Sequence, residues 1–235
     1  EESGRRAARL VGAPIRPRAL VTRESVENAL RVLLALSGST NAVIHLTAIA
    51  GRNGVGVTLD DLNRLAADTP TLVDLKPIGG NYMEDFHAAG GMGAVFAELA
   101  PLLHLDVPSV AGETLRERLQ REAGRYVDRG VIRSREAPLA PDGGLIGLTG
   151  TLAPGGAILK RGAATPALME HTGRAVVFAS LEDLAARIDD PDLDVGPEDV
   201  LVLQNAGPRS PSGMPEAGYL PIPRKLAAQG VKDMV

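Results

Sequence analysis

The stretch GGLIGLTGTLAPGGAILK, residues 143–160, decides the fold class. Gly and Pro gather between Pro138 and Gly156, and the apolar pattern changes period there. Leu145-Ile146 and Ala157-Ile158-Leu159 are short apolar runs flanked by turn residues, which reads as strands. Gly143-Gly144 and Gly155-Gly156 fit tight turns, where a residue without Cβ takes dihedrals closed to others. Downstream, Ala175–Phe178 and Val200–Leu203 repeat the strand pattern. Ser180-Leu-Glu-Asp183 caps a helix between them, and Pro223–Ala228 reads as another. Val231–Val235 then begins a period-two alternation expected of a strand.

Upstream the pattern is helical. Thr22 can cap a helix whose apolar residues Val26, Ala29, Leu30, Leu33 and Leu34 recur at helical spacing. Ser37-Gly-Ser-Thr40 interrupts it, and Asn41–Ala50 reads as a second helix, with His45 among Ile44, Leu46 and Ile49 expected to be a core histidine. Thr58-Leu-Asp-Asp61 resembles a capping box with Asp in place of Glu. One helix is expected from Met83 to about Leu99, and another from Thr114 to about Val127. The chain is therefore α/β, with a mostly helical segment over residues 1–140 and a strand-rich one over 141–235.

Composition narrows function. At 235 residues the chain has room for two domains and a core that needs no staples. Aromatics are 3% with no Trp, which argues against a stacking platform for single-stranded nucleic acid. A net charge of −4 with both signs interspersed is not the basic footprint of a nucleic-acid binder. No apolar run approaches the roughly 18 residues that cross a bilayer, and EESGRRAARL has no apolar signal core. The absence of Cys rules out disulfides, thiol catalysis and cysteine-held metal within these residues. A cytoplasmic home is the expectation. Position 1 is Glu, and the last residues read as the start of a strand, so the chain is expected to be a piece of a longer protein.

Three groups of residues could carry chemistry. Glu216 sits in a Pro- and Gly-rich loop after the Val200–Leu203 strand; a carboxylate held there suits magnesium, and equally a solvated position on an ordered loop. Ser39, Thr40 and Asn41 open a helix, where backbone N–H groups cradle a carboxylate or phosphate, or simply form an N-cap. Glu84 and His87, at i,i+3 on one helix face, have a spacing used by some metal sites, although acidic residues also favour a first helical turn. GRNGVG at 51–56 follows no strand and is not a dinucleotide fingerprint. No Gly-Lys-Ser/Thr phosphate loop and no Gly-x-Ser-x-Gly elbow is present.

Five blocks, in order, carry a resemblance: LSGSTNAVIHLTAIA (36–50), TLVDLKPIGGNYMEDFHAAGG (71–91), LTGTLAPGGAILK (148–160), HTGRAVVF (171–178) and NAGPRSPSGMPEAGYLPIPRKLAAQGVKDMV (205–235). Together they resemble the dihydroxy-acid, phosphogluconate and aldonic-acid dehydratase family over about Thr22 to Val235. GMPEAGYLPIP at 213–223 and RIDDPDLDV at 187–195 are most similar to its sugar-acid branch, the arabinonate and xylonate type. The resemblance implies the tail of an α/β cluster-binding domain followed by part of a swivelling β/β/α domain. It implies a hydro-lyase that removes water from a 2,3-dihydroxy acid to give a 2-keto-3-deoxy acid. An iron–sulfur cluster held by cysteines would act on the leaving hydroxyl, magnesium held by carboxylates and a carbamylated lysine would bind the carboxylate end, and a serine would take the C2 proton.

Position by position, Glu216 matches the family's magnesium-binding glutamate. Ser39, Thr40 and Asn41 match its GGSTN block, expected near the cluster and substrate pocket, with Ser37 in place of the first Gly. The cluster cysteines, the other magnesium ligands and the base serine correspond to positions before Glu1 or after Val235. No catalytic residue is therefore implied within these 235 positions, which would be inactive alone. A branched-chain dihydroxy-acid dehydratase and a non-catalytic ligand-binding module are the alternatives. The implied partners are a small-molecule sugar acid or dihydroxy acid, with no nucleic acid and no membrane, in a homodimer or homotetramer.

Overall fold

The computed structural model describes residues 1–207, 210 and 219–235. The chain divides into two compact units, Glu1–Gly162 and Ala163–Val235.

The first unit is built around one helix. Before it come α1 (Glu2–Arg9) and α2 (Pro17–Leu20), then α3 (Arg23–Ala35), α4 (Thr40–Arg52) and α5 (Leu59–Asp68). At the start of α3 the Thr22 hydroxyl accepts the Ser25 N–H at 3.2 Å, while the Ser25 hydroxyl accepts the Thr22 N–H at 2.9 Å. Thr58 and Asp61 make the same reciprocal pair at α5, at 3.1 and 3.0 Å, so Asp serves where Glu is usual. One face of α3 buries Val26, Leu30, Leu33 and Leu34 against Leu62, Leu65 and Ala66 of α5 and Ala50 of α4. Burying each such aliphatic side chain contributes about 1.5–3 kcal/mol. A second cluster gathers Ala35, Leu72, Val73, Phe86, Val95, Leu99 and Ile132. Arg31 is buried with its charge paired: the guanidinium donates to both Asp68 carboxylate oxygens, at 2.8 and 3.1 Å, and to Thr69 Oγ1 at 2.7 Å.

The helix expected from Met83 to Leu99 is two helices, α6 (Met83–Ala88) and α7 (Gly91–Leu99). Gly90 between them has φ 117°, and a Cβ there would stand 2.9 Å from the Tyr126 carbonyl oxygen. The close approach of that distant loop breaks the helix. Helix α8 (Leu115–Glu122) stops short of Val127, ahead of Gly124 at φ 74°. His45, expected in the core, is exposed on α4.

Strands β1 (Leu145–Leu148) and β2 (Ala157–Lys160) pair antiparallel, with Leu145 opposite Lys160 and Gly147 opposite Ile158. Directly opposed residues share a face. Leu145 is fully buried in the α3–α5 core and Ile158 packs against it, so this face is turned to the helices. That packing sets the hairpin in the first unit. The units accordingly divide after Gly162, while the change from helix to strand comes near residue 140.

In the second unit, β3 (Ala175–Phe178) and β4 (Val200–Leu203) pair in parallel, and α9 (Leu181–Arg187) lies in the connection between them. Ser180 caps α9, its hydroxyl accepting the Asp183 N–H at 3.2 Å. Val176, Phe178, Leu184, Ile188 and Leu201 close a small core with Leu226 of α10 (Arg224–Ala227). Residues 231–235 form no strand, contrary to their alternating pattern. Among the described residues their backbone meets β4 through one bond, from the Leu201 N–H to the Val235 carbonyl at 2.8 Å, too little for a ladder.

Candidate functional site

The link between α3 and α4 is the chemically unusual part of the first unit. Helix α3 ends in a tight reversal in which the Ser37 N–H donates to the Leu34 carbonyl at 3.1 Å and the Gly38 N–H to the Leu33 carbonyl at 3.0 Å. Closing that turn puts Ser37 at φ 44°, a left-handed conformation that favours glycine. Ser37 is only 9% exposed, and its hydroxyl has no hydrogen-bond partner among the described residues. A buried polar group left this way is rare and costly.

Two residues later Ser39 caps α4, its hydroxyl accepting the Asn41 N–H at 3.2 Å. Ser39 is exposed, while Thr40 and Asn41 are half-buried. This first turn heads a 13-residue helix, whose positive dipole end and N–H groups favour an anion. Both sequence readings of the block, cap and cradle, are compatible with this geometry.

The base of the β1–β2 hairpin closes on the same link. The Gly144 N–H donates to the Leu34 carbonyl at 3.1 Å, and the Arg161 N–H to the Gly144 carbonyl at 2.9 Å. A Cβ on Gly144 would stand 2.7 Å from Ser37 Cα, so only glycine fits. Beside this contact lies a cleft of about 380 Å³ whose polar walls are Ser37, Thr71, Asp74, Asp142 and Arg161. Arg161 pairs with Asp142, and the Thr71 hydroxyl donates to the Asp142 carbonyl at 2.8 Å. Asp74 holds its own loop: its carboxylate accepts the Gly80 N–H at 2.8 Å and the Asn81 amide at 3.2 Å.

Lys160 stands apart from these satisfied charges. It is half-buried on the helix-facing side of β2, and its ammonium has no hydrogen bond or ion pair among the described residues. Burial pushes its pKa below the usual lysine value, with no acid nearby to restore it.

The remaining sequence candidates do not join this region. Glu84 and His87 are both exposed on the short helix α6. Glu216 lies outside the described residues. Among the described residues no group of three or more His, Cys, Asp or Glu could hold a metal ion. No helix among them is long and apolar enough to cross a membrane. Sequence reasoning missed Lys160, Arg161 and Asp74, and of Ser37 it saw the block but not the strained turn. For Lys160 a signal existed: alternation along Ala157-Ile-Leu-Lys160 puts it on the face of Ile158.

Comparison with known proteins agrees with the sequence resemblance. Residues 1–118 match the family described as dihydroxy-acid/6-phosphogluconate dehydratase N-terminal, and residues 130–235 the corresponding C-terminal family. An L-arabonate dehydratase of Azospirillum brasilense is 50% identical over 219 residues, covering 92% of this chain and 37% of that protein. An L-arabinonate dehydratase of Rhizobium leguminosarum bv. trifolii is 43% identical over 235 residues, 99% of this chain and 40% of that protein. A 6-deoxy-6-sulfo-D-gluconate dehydratase of Pseudomonas putida is 44% identical over 229 residues, 96% of this chain and 39% of that protein. The chain thus spans about two-fifths of the length of the relatives it matches. With the N-terminal and C-terminal parts matched in order over most of its length, the chain belongs to the dihydroxy-acid/6-phosphogluconate dehydratase family.

Proposed function

We propose that the protein is a hydro-lyase that dehydrates a sugar acid, of the arabinonate type, to its 2-keto-3-deoxy acid. One observation carries this reading: two relatives named as arabinonate dehydratases align with 92% and 99% of the chain, at 50% and 43% identity. Dihydroxy-acid dehydratases also align, one from Solidesulfovibrio magneticus at 43% identity, so the branched-chain acid is the competing substrate.

Family membership implies an iron–sulfur cluster and magnesium, and the residues described do not fit either group. The chain has no Cys to ligate a cluster, and its described residues assemble no metal-holding set. Glu216 is the residue proposed to reach magnesium. No step is therefore routed through either group. The role proposed for this chain's own residues is to bind and orient the acid: the N–H groups at the head of α4, with Ser39, Thr40 and Asn41, offer donors to oxygen atoms of the substrate. A cytoplasmic location and a homodimeric or homotetrameric assembly belong to the same proposal.

The test is product formation in the protein as it occurs in its cell. Supplied with L-arabinonate, it should accumulate an α-keto acid, read as the semicarbazone absorbance, faster than with 2,3-dihydroxyisovalerate. A faster reaction with dihydroxyisovalerate would transfer the assignment to the branched-chain acid. No keto acid from either would leave a binding role.

A further inference from the structure

We propose that the open edge of β4 seats a third parallel strand, formed by an extended segment continuous with Val235. The strand rests on the geometry of the sheet; its bearing on the sugar-acid site rests on the reading above.

Among the described residues β4 pairs with β3 alone. The Val200 N–H donates to the Arg174 carbonyl at 2.9 Å, and the Gln204 N–H to the Phe178 carbonyl at 2.8 Å. In a parallel ladder alternate residues of a strand bond to the same side. Val200 and Val202 therefore face β3, while the N–H and C=O groups of Leu201 and Leu203 face the opposite edge. There the Val235 carbonyl meets the Leu201 N–H at 2.8 Å, and the Leu203 N–H has no partner among the described residues. A row of backbone groups covered at one end is a template for another strand.

Register fixes the direction. An antiparallel strand with Val235 opposite Leu201 would bring Asp233 opposite Leu203, and no backbone bond joins those two among the described residues. A parallel strand reaches Leu203 with the residue two beyond Val235, which makes the Val235 carbonyl its first rung. The helices fix the side. Parallel strands laid down in chain order by right-handed crossovers carry their helices on one face of the sheet. Helix α9 lies between β3 and β4, and α10 between β4 and Val235. Leu184 of α9 and Leu226 of α10 share one core with Val176, Phe178 and Leu201. A strand on the outer edge of β3 would instead need α10 on the other face. The arriving segment is already held: Val231 and Met234 pack on that core, and the Thr165 hydroxyl donates to the Asp233 carboxylate. Ligands of open α/β sheets bind outside the carboxyl ends of parallel strands. The carboxyl end of the new strand would lie beside that of β4, where the loop that carries Glu216 departs.

Hydrogen–deuterium exchange, read at single amides by fragmentation mass spectrometry of the protein as it occurs in its cell, tests this. Val202, whose N–H faces β3, is the internal reference. The Leu203 amide should exchange within about 10-fold of the Val202 rate, as a paired strand does. In the 235-residue chain Leu203 should lose that protection while Val202 keeps it. A Leu203 amide more than about 10-fold faster than Val202 in the cellular protein would overturn the strand. Protection of Leu203 retained in the 235-residue chain would also overturn it, because a group within these residues would then hold the edge. So would protection lost on dilution, which would assign the edge to a second copy of the chain. Exchange does not depend on turnover. A protected Leu203 in a protein that forms no keto acid keeps the strand and removes the sugar-acid reading; a fast Leu203 in an active protein does the reverse.

Discussion

Replacing Ser37 by glycine should make the first unit more stable. Ser37 has φ 44°, which costs a residue with a Cβ about 1–2 kcal/mol. Its buried hydroxyl, partnerless among the described residues, costs about 1–3 kcal/mol more. Against these gains, glycine gives up about 0.5–1 kcal/mol of additional chain entropy on folding. Loss of the methylene packed on Gly144 forfeits about 0.8 kcal/mol. The gains exceed the losses by roughly 2 kcal/mol at the middle of these ranges. Urea unfolding followed by far-ultraviolet dichroism should show a higher midpoint at unchanged slope. Ser37→Ala removes the hydroxyl and keeps the strained dihedral, the packed methylene and the stiffer chain; on the same figures it should stabilise about as much as Ser37→Gly. A midpoint for Ser37→Gly equal to or below that of the parent, at the same slope, refutes the reasoning. A Ser37→Gly midpoint below that of Ser37→Ala by those losses or more would show that the left-handed turn carries no cost here.

Gly144→Ala should destabilise by about 3 kcal/mol or more, since its Cβ would press within 2.7 Å of Ser37 Cα, backbone that cannot yield as a rotamer does; the same urea titration reads it, and a loss under 1 kcal/mol would mean that the link is pliable. Asp61 gives a pH signature. Burial would raise its pKa, but the hydrogen bonds from Arg23 and from the Thr58 N–H outweigh it and hold the group at about 2, against an ordinary 3.8. A depressed carboxylate contributes stability that is present above its unfolded pKa and is lost as pH falls from about 4 through about 2. Unfolding midpoints measured from pH 2 to 6 should fall on the acid side, and Asp61→Asn should flatten that fall; an identical pH profile in the variant would discard the assignment. In the protein as it occurs in its cell, Glu216→Ala should weaken magnesium binding and lower turnover while leaving iron content unchanged, measured by magnesium titration and metal analysis. Full activity at low magnesium would remove Glu216 from the metal site.

What could be read from the sequence was local. The pairs Thr22/Ser25, Thr58/Asp61 and Ser180/Asp183 close within three residues, so the helix starts are written in adjacent letters. The four strands announce themselves as apolar runs between turns, and they sit where those runs are. The failures all involve partners far along the chain. Gly90 interrupts a good helical pattern because the Tyr126 carbonyl, 36 positions away, occupies the space of its Cβ. Arg31 is buried because Asp68 and Thr69 reach it from the end of another helix. His45 is exposed because α4 buries few of its own residues, Ala50 alone being fully enclosed among those described. Val231–Val235 has the strand alternation and lacks a ladder, which is a property of its neighbours and not of its letters.

The same distinction bears on the candidate site. Elsewhere in the first unit two amides, Asn28 and Asn63, are answered on both sides. Asn28 donates to the His104 carbonyl and accepts the His104 N–H, each at 2.9 Å. Asn63 does the same with Gly147, at 3.0 and 2.8 Å. A strained serine, Ser37, with an idle hydroxyl and a half-buried lysine, Lys160, with no acceptor among the described residues nonetheless stand in this unit. Strain of this kind persists where surrounding structure imposes it, and it clusters at sites of function. If Ser37→Gly stabilises the chain and also weakens arabinonate binding, the cost at this link is tied to binding. If it stabilises and leaves binding untouched, Ser37 is a packing residue of the turn.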